Sequence, residues 1–354
     1  MDSQKILVLR LSAVGDVIRT LPAVQALKEH VPSSSITWIV EEPSHAFLES
    51  QPEVDSVILF PRRRWAKGIK SLGMIWETIG EMRGFVAGLR KRKFDVVLDF
   101  HGILKSGLLS FLSGSPRRIG YDRSSTKEGN SLFSNVKVRL PKEKISRFKR
   151  NFALLRGMGL EVRDVKYSLH IPPADREYVA SFLKSSATPL KRPLIAIHPG
   201  TSIKALFKRW PPDQYARLAD RLVRELSATV LFTWGTEELK WVEGIRREME
   251  EPSLLAPKTK SLTQLGEVYR QCDLYVGGDT GPMHIASLMG IPVVVIYGPT
   301  DPIENEPFGN HIKIRKEVWC NPCHNYSCKE PLCVKTISAD EVFKATKEIL
   351  SLTH

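Results

Sequence analysis

Short apolar runs alternate with amphipathic stretches along the chain, and the whole alternation occurs twice. In the first half, continuously apolar runs at residues 6–10, 36–40, 54–60 and 95–100 predict strands that are covered on both faces. A helix is predicted from about Asp16 to Glu29. Apolar residues spaced by three and four predict a second amphipathic helix from Trp65 to Val86.

The second half repeats this arrangement. Strands are predicted at 194–198, 229–233, 274–276 and 293–297, and helices at 215–226, 241–249, 262–271, 283–289 and 339–351, the last with Ser338 as N-cap. Strand-helix-strand units at this spacing indicate parallel sheets with right-handed crossovers. We therefore expect an α/β protein of two doubly wound, Rossmann-like domains that face each other across a cleft, with ligands beyond the carboxyl ends of the strands.

Breaks in the pattern mark the domain boundaries. Pro172-Pro173 and the stretch from 185 to 193 interrupt the alternation, after which it begins again at Leu194. We expect an N-terminal domain over 1–172, a linker over 173–193, a C-terminal domain over 194–337 and a terminal helix over 338–354.

Length and composition narrow the class of protein. The 354 residues exceed what one hydrophobic core usually supports, and 42% apolar with 26% charged residues is the balance of a soluble globular protein. No apolar run reaches the roughly 18 residues of a membrane-spanning helix. The apolar start, from Ile6 to Leu11, indicates a buried strand rather than a signal peptide, so we expect a cytoplasmic protein.

Positive charge is concentrated in one segment. Residues 62–150 contain 22 Lys and Arg against 7 acids, although the whole chain carries a net charge of only +13. Such an excess indicates an anionic partner, whether a nucleic acid, an acidic membrane surface or a negatively charged substrate. A solvated basic surface that keeps the protein soluble is the alternative.

Four of the five cysteines lie within fourteen residues, at Cys320, Cys323, Cys328 and Cys333. Thiolates at such spacings are typical of zinc or iron–sulfur sites. The loops between them are short, however, and a cytosolic protein keeps thiols reduced without a metal. We expect no metal, and we interpret Cys272 as a small buried residue.

The turn after the first strand ends in Asp16, at the start of a helix. It lacks the glycine spacing of a dinucleotide fingerprint, and the chain contains no Walker-type motif. Asp16 is either a carboxylate that stabilises its helix or one that takes a proton from an alcohol.

A second motif, Gly277-Gly-Asp-Thr-Gly-Pro-Met-His284, follows a short strand and opens a helix. Pro282 is tolerated in a first helical turn. The free N–H groups of Thr280, Gly281 and Met283 then favour a bound phosphate. The alternative is structural, with Asp279 as an N-cap and His284 as a buried helix residue.

Two further segments end at the same predicted sheet edge. One contains Thr201 and Ser202 and then Lys208, and the other ends in Glu237. A carboxylate there accepts hydrogen bonds from ribose hydroxyls, or simply stabilises a helix start. Hydroxyls, a cation, an anion-receptive helix start and a carboxylate together predict a nucleotide-diphosphate site.

These motifs resemble glycosyltransferase family 9, the ADP-heptose:lipopolysaccharide heptosyltransferases. The resemblance rests on Leu9-Arg-Leu-Ser-Ala-Val-Gly-Asp-Val-Ile-Arg-Thr-Leu-Pro22, on 208–211, and on Gly278-Asp-Thr-Gly-Pro-Met-His284 through Tyr297-Gly-Pro-Thr-Asp-Pro302. Segments 62–65, 99–106 and 126–128 are most similar to the heptosyltransferase I subgroup. The subgroup implies transfer of L-glycero-D-manno-heptose from ADP-heptose to Kdo of Kdo2-lipid A.

The resemblance implies a GT-B fold, inversion at the anomeric carbon and no required cofactor. It makes Asp16 the general base and Lys208, with the N–H groups of Thr280 and Gly281, the group that stabilises the leaving diphosphate. Its remaining donor-site residues are Thr201 and Ser202 for the phosphates, Glu237 for the ribose, Asp279 for the heptose, and Pro282 and His284 near the phosphates.

The implied acceptor explains the positive charge of residues 62–150, because Kdo carries carboxylates and lipid A carries phosphates. The candidate acceptor contacts are Arg62, Arg63, Arg64, Lys67, Lys105, Arg123 and Lys127. The 65–86 helix either rests on the anionic cytoplasmic face of the inner membrane or is a buried core stripe. We expect no nucleic-acid partner. The alternatives are heptosyltransferase II or another family 9 transferase, and a non-catalytic polyanion- or membrane-binding protein.

Overall fold

The chain forms two compact units, Met1–Lys166 and Tyr167–His354. The computed structural model describes residues 4–162, 165–185, 190–323, 325 and 327–352. None of the helices in these ranges is both long and apolar enough to cross a membrane.

The first unit alternates strands and helices, as the sequence predicts. Its elements are β1 (Lys5–Leu9), α1 (Val14–His30), β2 (Ser35–Val40), α2 (His45–Glu49), β3 (Ser56–Leu59), α3 (Arg62–Ile69), α4 (Ile75–Lys91), β4 (Val96–Asp99), α5 (Leu104–Leu112), β5 (Arg117–Tyr121), β6 (Val136–Val138) and α6 (Arg147–Leu154). The strands form a parallel sheet in the order β3-β2-β1-β4-β5-β6.

β1 occupies the centre of this sheet because it is apolar on both faces. Residues 6–9 are fully buried, and Leu9 pairs with Ile39 on one side and Asp99 on the other. The chain runs from β1 outward to β3 and then returns to β4 on the other side of β1. The carboxyl ends of β1 and β4 therefore form the point where strand order reverses, which is where open α/β sheets bind ligands.

The single amphipathic helix predicted from Trp65 to Val86 is wrong, because two helices, α3 and α4, cover this segment with turns at 70–74 between them. The two helices approach so closely at Gly68 that a Cβ there would lie 2.0 Å from Oγ1 of Thr78. Trp65 packs edge-on against Phe60 and Phe85. The apolar spacing of three and four continued across the break, so the sequence did not reveal it.

The second unit also alternates. Its elements are α7 (Pro173–Lys184), β7 (Leu194–His198), α8 (Pro212–Leu226), β8 (Thr229–Phe232), α9 (Leu239–Glu248), β9 (Leu254–Leu255), α10 (Leu262–Arg270), β10 (Leu274–Gly278), α11 (Gly281–Leu288), β11 (Val293–Tyr297), β12 (His311–Arg315), α12 (Leu332–Lys335) and α13 (Ala339–Ser351). Its parallel sheet has the order β12-β11-β10-β7-β8-β9. Strand order reverses between β7 and β10, in the same way as between β1 and β4.

A helix lies near each end of the second unit. Within the predicted linker, α7 packs on α10, and Asp175 accepts a hydrogen bond from Nε2 of Gln264 (2.9 Å). α13 packs on α8, and Ser338 caps it in a capping box with Glu341, as the sequence predicts for the cap. Cys272 is confirmed as a buried residue, with Sγ 3.2 Å from the Val268 carbonyl oxygen.

Candidate active site

Asp16 lies in the first turn of α1, and three guanidinium groups surround its carboxylate. Oδ2 contacts Arg10, while Oδ1 contacts Arg19 one turn along α1 and Nη1 of Arg147, at the start of α6, at 2.9 Å. Arg10 also donates Nη1 to the carbonyl oxygen of Phe100 (2.9 Å), just beyond β4. These contacts hold Asp16 where the strand order of the first sheet reverses.

Charge decides the ionisation state of Asp16. Burial opposes ionisation of its carboxyl, but the guanidinium groups of Arg10, Arg19 and Arg147 outweigh burial and hold the pKa well below its ordinary value. The group is therefore ionised at neutral pH, as a general base must be. The same contacts make it a weak base, because protonation gives up their attraction.

A buried carboxylate, Asp99, organises the backbone at the end of β4. It accepts hydrogen bonds from the N–H groups of residues 101 and 102 (3.0 and 3.1 Å), from Oγ of Ser106 (2.9 Å) and from Nδ2 of Asn130 (2.7 Å). Burial raises the pKa of Asp99 despite these donors. Asp99 thus ties the loop 101–106 to the segment around Asn130, and these segments carry two of the predicted acceptor residues.

His101 joins the ends of β1 and β4. Its Nδ1 accepts the N–H of Leu11 (3.2 Å), so Nε2 carries the proton. Burial and the positive charge of Arg10 lower the pKa of His101 to about 3, although Asp16 acts in the opposite direction. His101 is therefore a neutral hydrogen-bond donor beside Asp16, and sequence reasoning did not single it out.

The seven predicted acceptor residues are exposed in the first unit. Arg62 lies 3.4 Å from Glu41, and Arg64 pairs with Glu81, whose other oxygen accepts Nε1–H of Trp65 (3.1 Å). Within the described ranges, the remaining five form no ion pair; they are Arg63, Lys67, Lys105, Arg123 and Lys127. Their guanidinium and ammonium groups are free to contact an anionic ligand.

In the second unit, α11 begins where β10 ends, with Thr280 at the N-cap and Gly281 as the first helical residue. No side chain caps this start, because the Thr280 hydroxyl contacts the Gly278 carbonyl oxygen instead (3.4 Å). Pro282 has no N–H in the first turn. The remaining N–H groups and the helix dipole make the start of α11 receptive to a phosphate.

Asp279 and His284 lie on either side of this helix start. Asp279 Oδ1 is 3.9 Å from Nε2 of His284, and the His284 side chain is buried within α11. His284 therefore packs in the core within α11, while Asp279 lies in the turn that precedes the N-cap Thr280.

Thr201, Ser202 and Lys208 follow β7. Ser202 is exposed and Lys208 half-buried at the end of a 3-10 segment, whereas Thr201 is buried and its Oγ1 accepts from Nε of Arg209 (3.2 Å). Arg209 stacks over the Trp241 ring, 4.9 Å from its centroid. Arg209 thus has a structural position, whereas the half-buried Lys208 is a cation available to a ligand.

The less exposed carboxylate after β8 belongs to Glu238, whose side chain is 12% exposed, rather than to Glu237, which is exposed. Glu238 accepts the N–H of Gly235 (2.7 Å) and lies 3.5 Å from Nε2 of His198. It also lies against Gly200, where a Cβ would come within 2.1 Å of Oε2. Sequence reasoning identified this segment but not this residue.

His198 continues the buried polar chain. Its Nδ1 lies 3.0 Å from Oγ1 of Thr233, which lies 3.1 Å from the hydroxyl of Tyr269. Burial, followed by the charge of Arg209, lowers the pKa of His198 to about 3. A neutral His198 thus links β7, β8 and α10 below the Glu238 carboxylate.

The four clustered cysteines are free thiols. Burial raises the pKa of the Cys333 thiol, and Cys320, Cys323 and Cys328 add to the effect. Across the residues that the structure describes, no group of three His, Cys, Asp or Glu side chains is arranged to hold a metal ion.

Comparison with known proteins decides the family. Residues 82–333 match the model of glycosyltransferase family 9 (heptosyltransferase), which is more than half of the chain. The chain belongs to glycosyltransferase family 9. This confirms the resemblance inferred from the motifs, and with it the assignment of the protein as a glycosyltransferase.

Individual relatives agree with the family. The lipopolysaccharide core heptosyltransferase OpsX of Haemophilus influenzae is 30% identical over 86% of this chain and 81% of its own length. Lipopolysaccharide heptosyltransferase 1 of Pseudomonas aeruginosa is 28% identical over 92% of this chain and 87% of its own length. The structure of Escherichia coli heptosyltransferase WaaC with ADP has a TM-score of 0.75 at 22% identity, covering 98% of this chain and 100% of that one, which confirms the expected fold class.

Proposed function

We propose that this family 9 enzyme transfers L-glycero-D-manno-heptose from ADP-heptose to Kdo of Kdo2-lipid A, in the inner core of lipopolysaccharide. The observation that carries the proposal is the ionised Asp16 at the reversal point of the first sheet. The phosphate-receptive start of α11 at the reversal point of the second sheet complements it. A proton acceptor and a diphosphate site are the two things that glycosyl transfer from a nucleotide sugar needs.

The reaction proceeds with inversion. The acceptor hydroxyl oxygen attacks the anomeric carbon, the bond from that carbon to the diphosphate breaks, and ADP leaves with the bonding pair. Asp16 takes the hydroxyl proton. Lys208 and the N–H groups of Thr280 and Gly281 stabilise the charge that develops on the diphosphate.

The other contacts to the nucleotide sugar are assigned from the position of each residue in the second unit. Thr201 and Ser202 serve the phosphates beside Lys208, and Pro282 and His284 shape the helix start on which the diphosphate rests. Asp279, in the turn before α11, binds heptose hydroxyls. Glu237 binds the ribose.

The acceptor is anionic, and the first unit offers it cations. Arg62, Arg63, Arg64, Lys67, Lys105, Arg123 and Lys127 bind its carboxylates and phosphates. Five of them have no competing ion pair within the described part of the chain. The network around Asp99 supports this role, because it fixes the backbone on either side of Lys105 and Lys127.

The acceptor assay tests the proposal. Purified protein is given ADP-heptose with either Kdo2-lipid A or the same acceptor already carrying one heptose, and ADP release and product mass are measured. We expect product with Kdo2-lipid A. Product only with the heptosylated acceptor would instead identify a heptosyltransferase II. Salt-sensitive binding to polyanions without ADP release would identify a non-catalytic binding protein.

We also propose that transfer needs no metal or other cofactor, because Lys208 and backbone N–H groups supply the positive charge at the diphosphate. Activity should be unchanged after dialysis against EDTA. A loss of activity that one divalent metal restores would contradict this.

We propose further that the protein works on the anionic cytoplasmic face of the inner membrane. The turn between α3 and α4 and the first turn of α4 support this. Leu72 is 94% exposed and Trp76 is 81% exposed, so Trp76 is not part of a buried core stripe. Lys67 and Lys70 flank these apolar side chains and are exposed too. Apolar side chains beside cations are typical of peripheral contact with anionic lipid.

Vesicle sedimentation tests the membrane contact. The wild-type protein should sediment with vesicles of anionic phospholipid and not with zwitterionic ones. Replacing Leu72 and Trp76 by Ser should weaken sedimentation but leave heptose transfer to a soluble, deacylated acceptor unchanged. Equal sedimentation of the variant and the wild type would rule out this turn as the contact.

A further inference from the structure

The carboxylate of Asp16 is more fully occupied than a working base should be. Oδ1 accepts from both Arg19 and Arg147, and Oδ2 from Arg10. A carboxylate oxygen has two lone pairs, so both of those on Oδ1 are engaged. For Oδ1 to take the hydroxyl proton, at least one of the two guanidinium groups on that oxygen has to withdraw.

Arg10 and Arg19 are poorly placed to withdraw. Their side chains are only 13% and 8% exposed. Arg10 is also held by the carbonyl oxygen of Phe100 at 2.9 Å, and Arg19 shares the helix of Asp16. Moving either would separate a buried guanidinium group from the Asp16 carboxylate, which is costly.

Arg147 differs from both. Its side chain is 40% exposed, and among the residues that the structure describes Asp16 is its one partner. Arg147 is also the first residue of α6, where a cation lies at the positive end of the helix dipole and gains nothing from it. Arg147 can therefore turn towards an anion at little cost.

The surroundings favour such an anion. Three guanidinium groups against one carboxylate leave an excess of two positive charges around Asp16, and the neighbouring His101 is neutral. An acceptor carboxylate that approaches Asp16 for the reaction therefore meets an unbalanced cationic cluster, of which Arg147 is the accessible member.

We propose that Arg147 is a positioning residue that exchanges partners: it holds Oδ1 of Asp16 in the free enzyme and moves to a carboxylate of the acceptor sugar in the complex. This inference rests on the proposed function. The exchange places the acceptor hydroxyl beside Oδ1 and returns basicity to Asp16 only when the correct anionic acceptor is bound. No bond to carbon changes in this step, since one ion pair replaces another.

A cycle of enzyme variants and acceptors tests the exchange. Arg147→Gln and the wild type are each assayed with Kdo2-lipid A and with Kdo2-lipid A whose Kdo carboxylates are methyl esters. Arg147→Gln with the native acceptor, and the wild type with the ester, should each lose about 10²-fold in kcat/KM, as expected for one lost charge pair. Because the ester already lacks the carboxylate that Arg147 would contact, Arg147→Gln with the ester should lose little more than the wild type loses with the ester.

Controls separate this role from a structural one. Arg147→Lys keeps a cation and should recover part of the loss, and the KM for ADP-heptose should stay within twofold in both variants. Arg156→Gln, an exposed arginine after α6, should behave as wild type with both acceptors. Urea denaturation of each variant shows whether it is folded.

Losses that multiply in the combined case to about 10⁴-fold would overturn the exchange, since independent contacts are additive in free energy. Full activity of Arg147→Gln with the native acceptor would overturn it too. Absence of turnover by the wild type with Kdo2-lipid A would instead overturn the proposed function, so the two failures are distinguishable.

Discussion

Nδ1 of His101 accepts the backbone N–H of Leu11 at 3.2 Å, and this bond joins the ends of the two central strands of the first sheet. It fixes the neutral tautomer with the proton on Nε2. Because the pKa of His101 is lowered to about 3, the bond persists at every pH at which the enzyme is expected to work.

Replacing His101 therefore tests a structural bond. His101→Leu should destabilise the protein by about 1–3 kcal/mol, because the N–H of Leu11 loses its acceptor. His101→Gln keeps an acceptor and should cost less. Urea denaturation at pH 7 measures the difference, and equal stability of the two variants would contradict the role of the bond.

Asp16→Asn should abolish most turnover, by about 10²–10⁴-fold, because an amide cannot take the acceptor proton. Affinity for ADP, measured by calorimetry, should be nearly unchanged. Glu143→Gln makes the same chemical change at an exposed acid of the same unit and should have no effect. If Asp16→Asn turned over at close to the wild-type rate, Asp16 would not be the base.

Asp16 also stabilises the fold in a pH-dependent way. Its pKa is depressed in the folded protein, so its contribution is fully present above the unfolded pKa and is lost as the pH falls through the folded value. The stabilities of wild type and Asp16→Asn should therefore differ at pH 7 and converge as the pH falls below about 4. Parallel stability curves over that range would contradict this.

Lys208→Met should raise the KM for ADP-heptose and lower kcat, with kcat/KM falling about 10²-fold or more, because one cation of the proposed diphosphate site is lost. Lys240→Met, at an exposed lysine of the same unit, is the matched control. Steady-state kinetics on both variants decides the point. A change confined to the acceptor KM would remove Lys208 from the donor site.

Gly200→Ala should displace the carboxylate of Glu238, since the new Cβ would lie 2.1 Å from Oε2. The displaced carboxylate leaves the N–H of Gly235 unpaired, at a cost of about 1 kcal/mol or more. In a Glu238→Ala background the same substitution should cost much less. Additive costs, measured by urea denaturation, would show that the two residues do not compete for this space.

Local sequence patterns were sufficient to predict those strands, helices and caps that depend only on neighbouring residues. The strand at 194–198, the helix at 339–351 and its Ser338 cap agree with the structure, because apolar runs and capping residues act within a few positions. The break between α3 and α4 was missed, because apolar spacing does not register the close approach of Gly68 and Thr78.

The residues of the candidate site also fall into two groups, those that the sequence could identify and those that only the structure could. Asp16, Lys208 and the start of α11 could be named from motifs, because each motif joins a strand end to a helix start. Arg19 lies within the first motif, three residues after Asp16, and could have been found from that spacing. Glu238 could not be separated from Glu237, because burial decides which carboxylate lies beneath the strand ends.

By itself, then, the sequence determined the class of fold, the family and the two strand-end motifs, since these depend on residue order over short distances. The tertiary structure decided which side chains contact Asp16. Arg147 is 131 residues from Asp16 along the chain, and only the packing of α6 against α1 brings its guanidinium group to that carboxylate. That contact adds to the attraction of Arg10 and Arg19 in keeping Asp16 ionised, because charge acts through space and not along the chain.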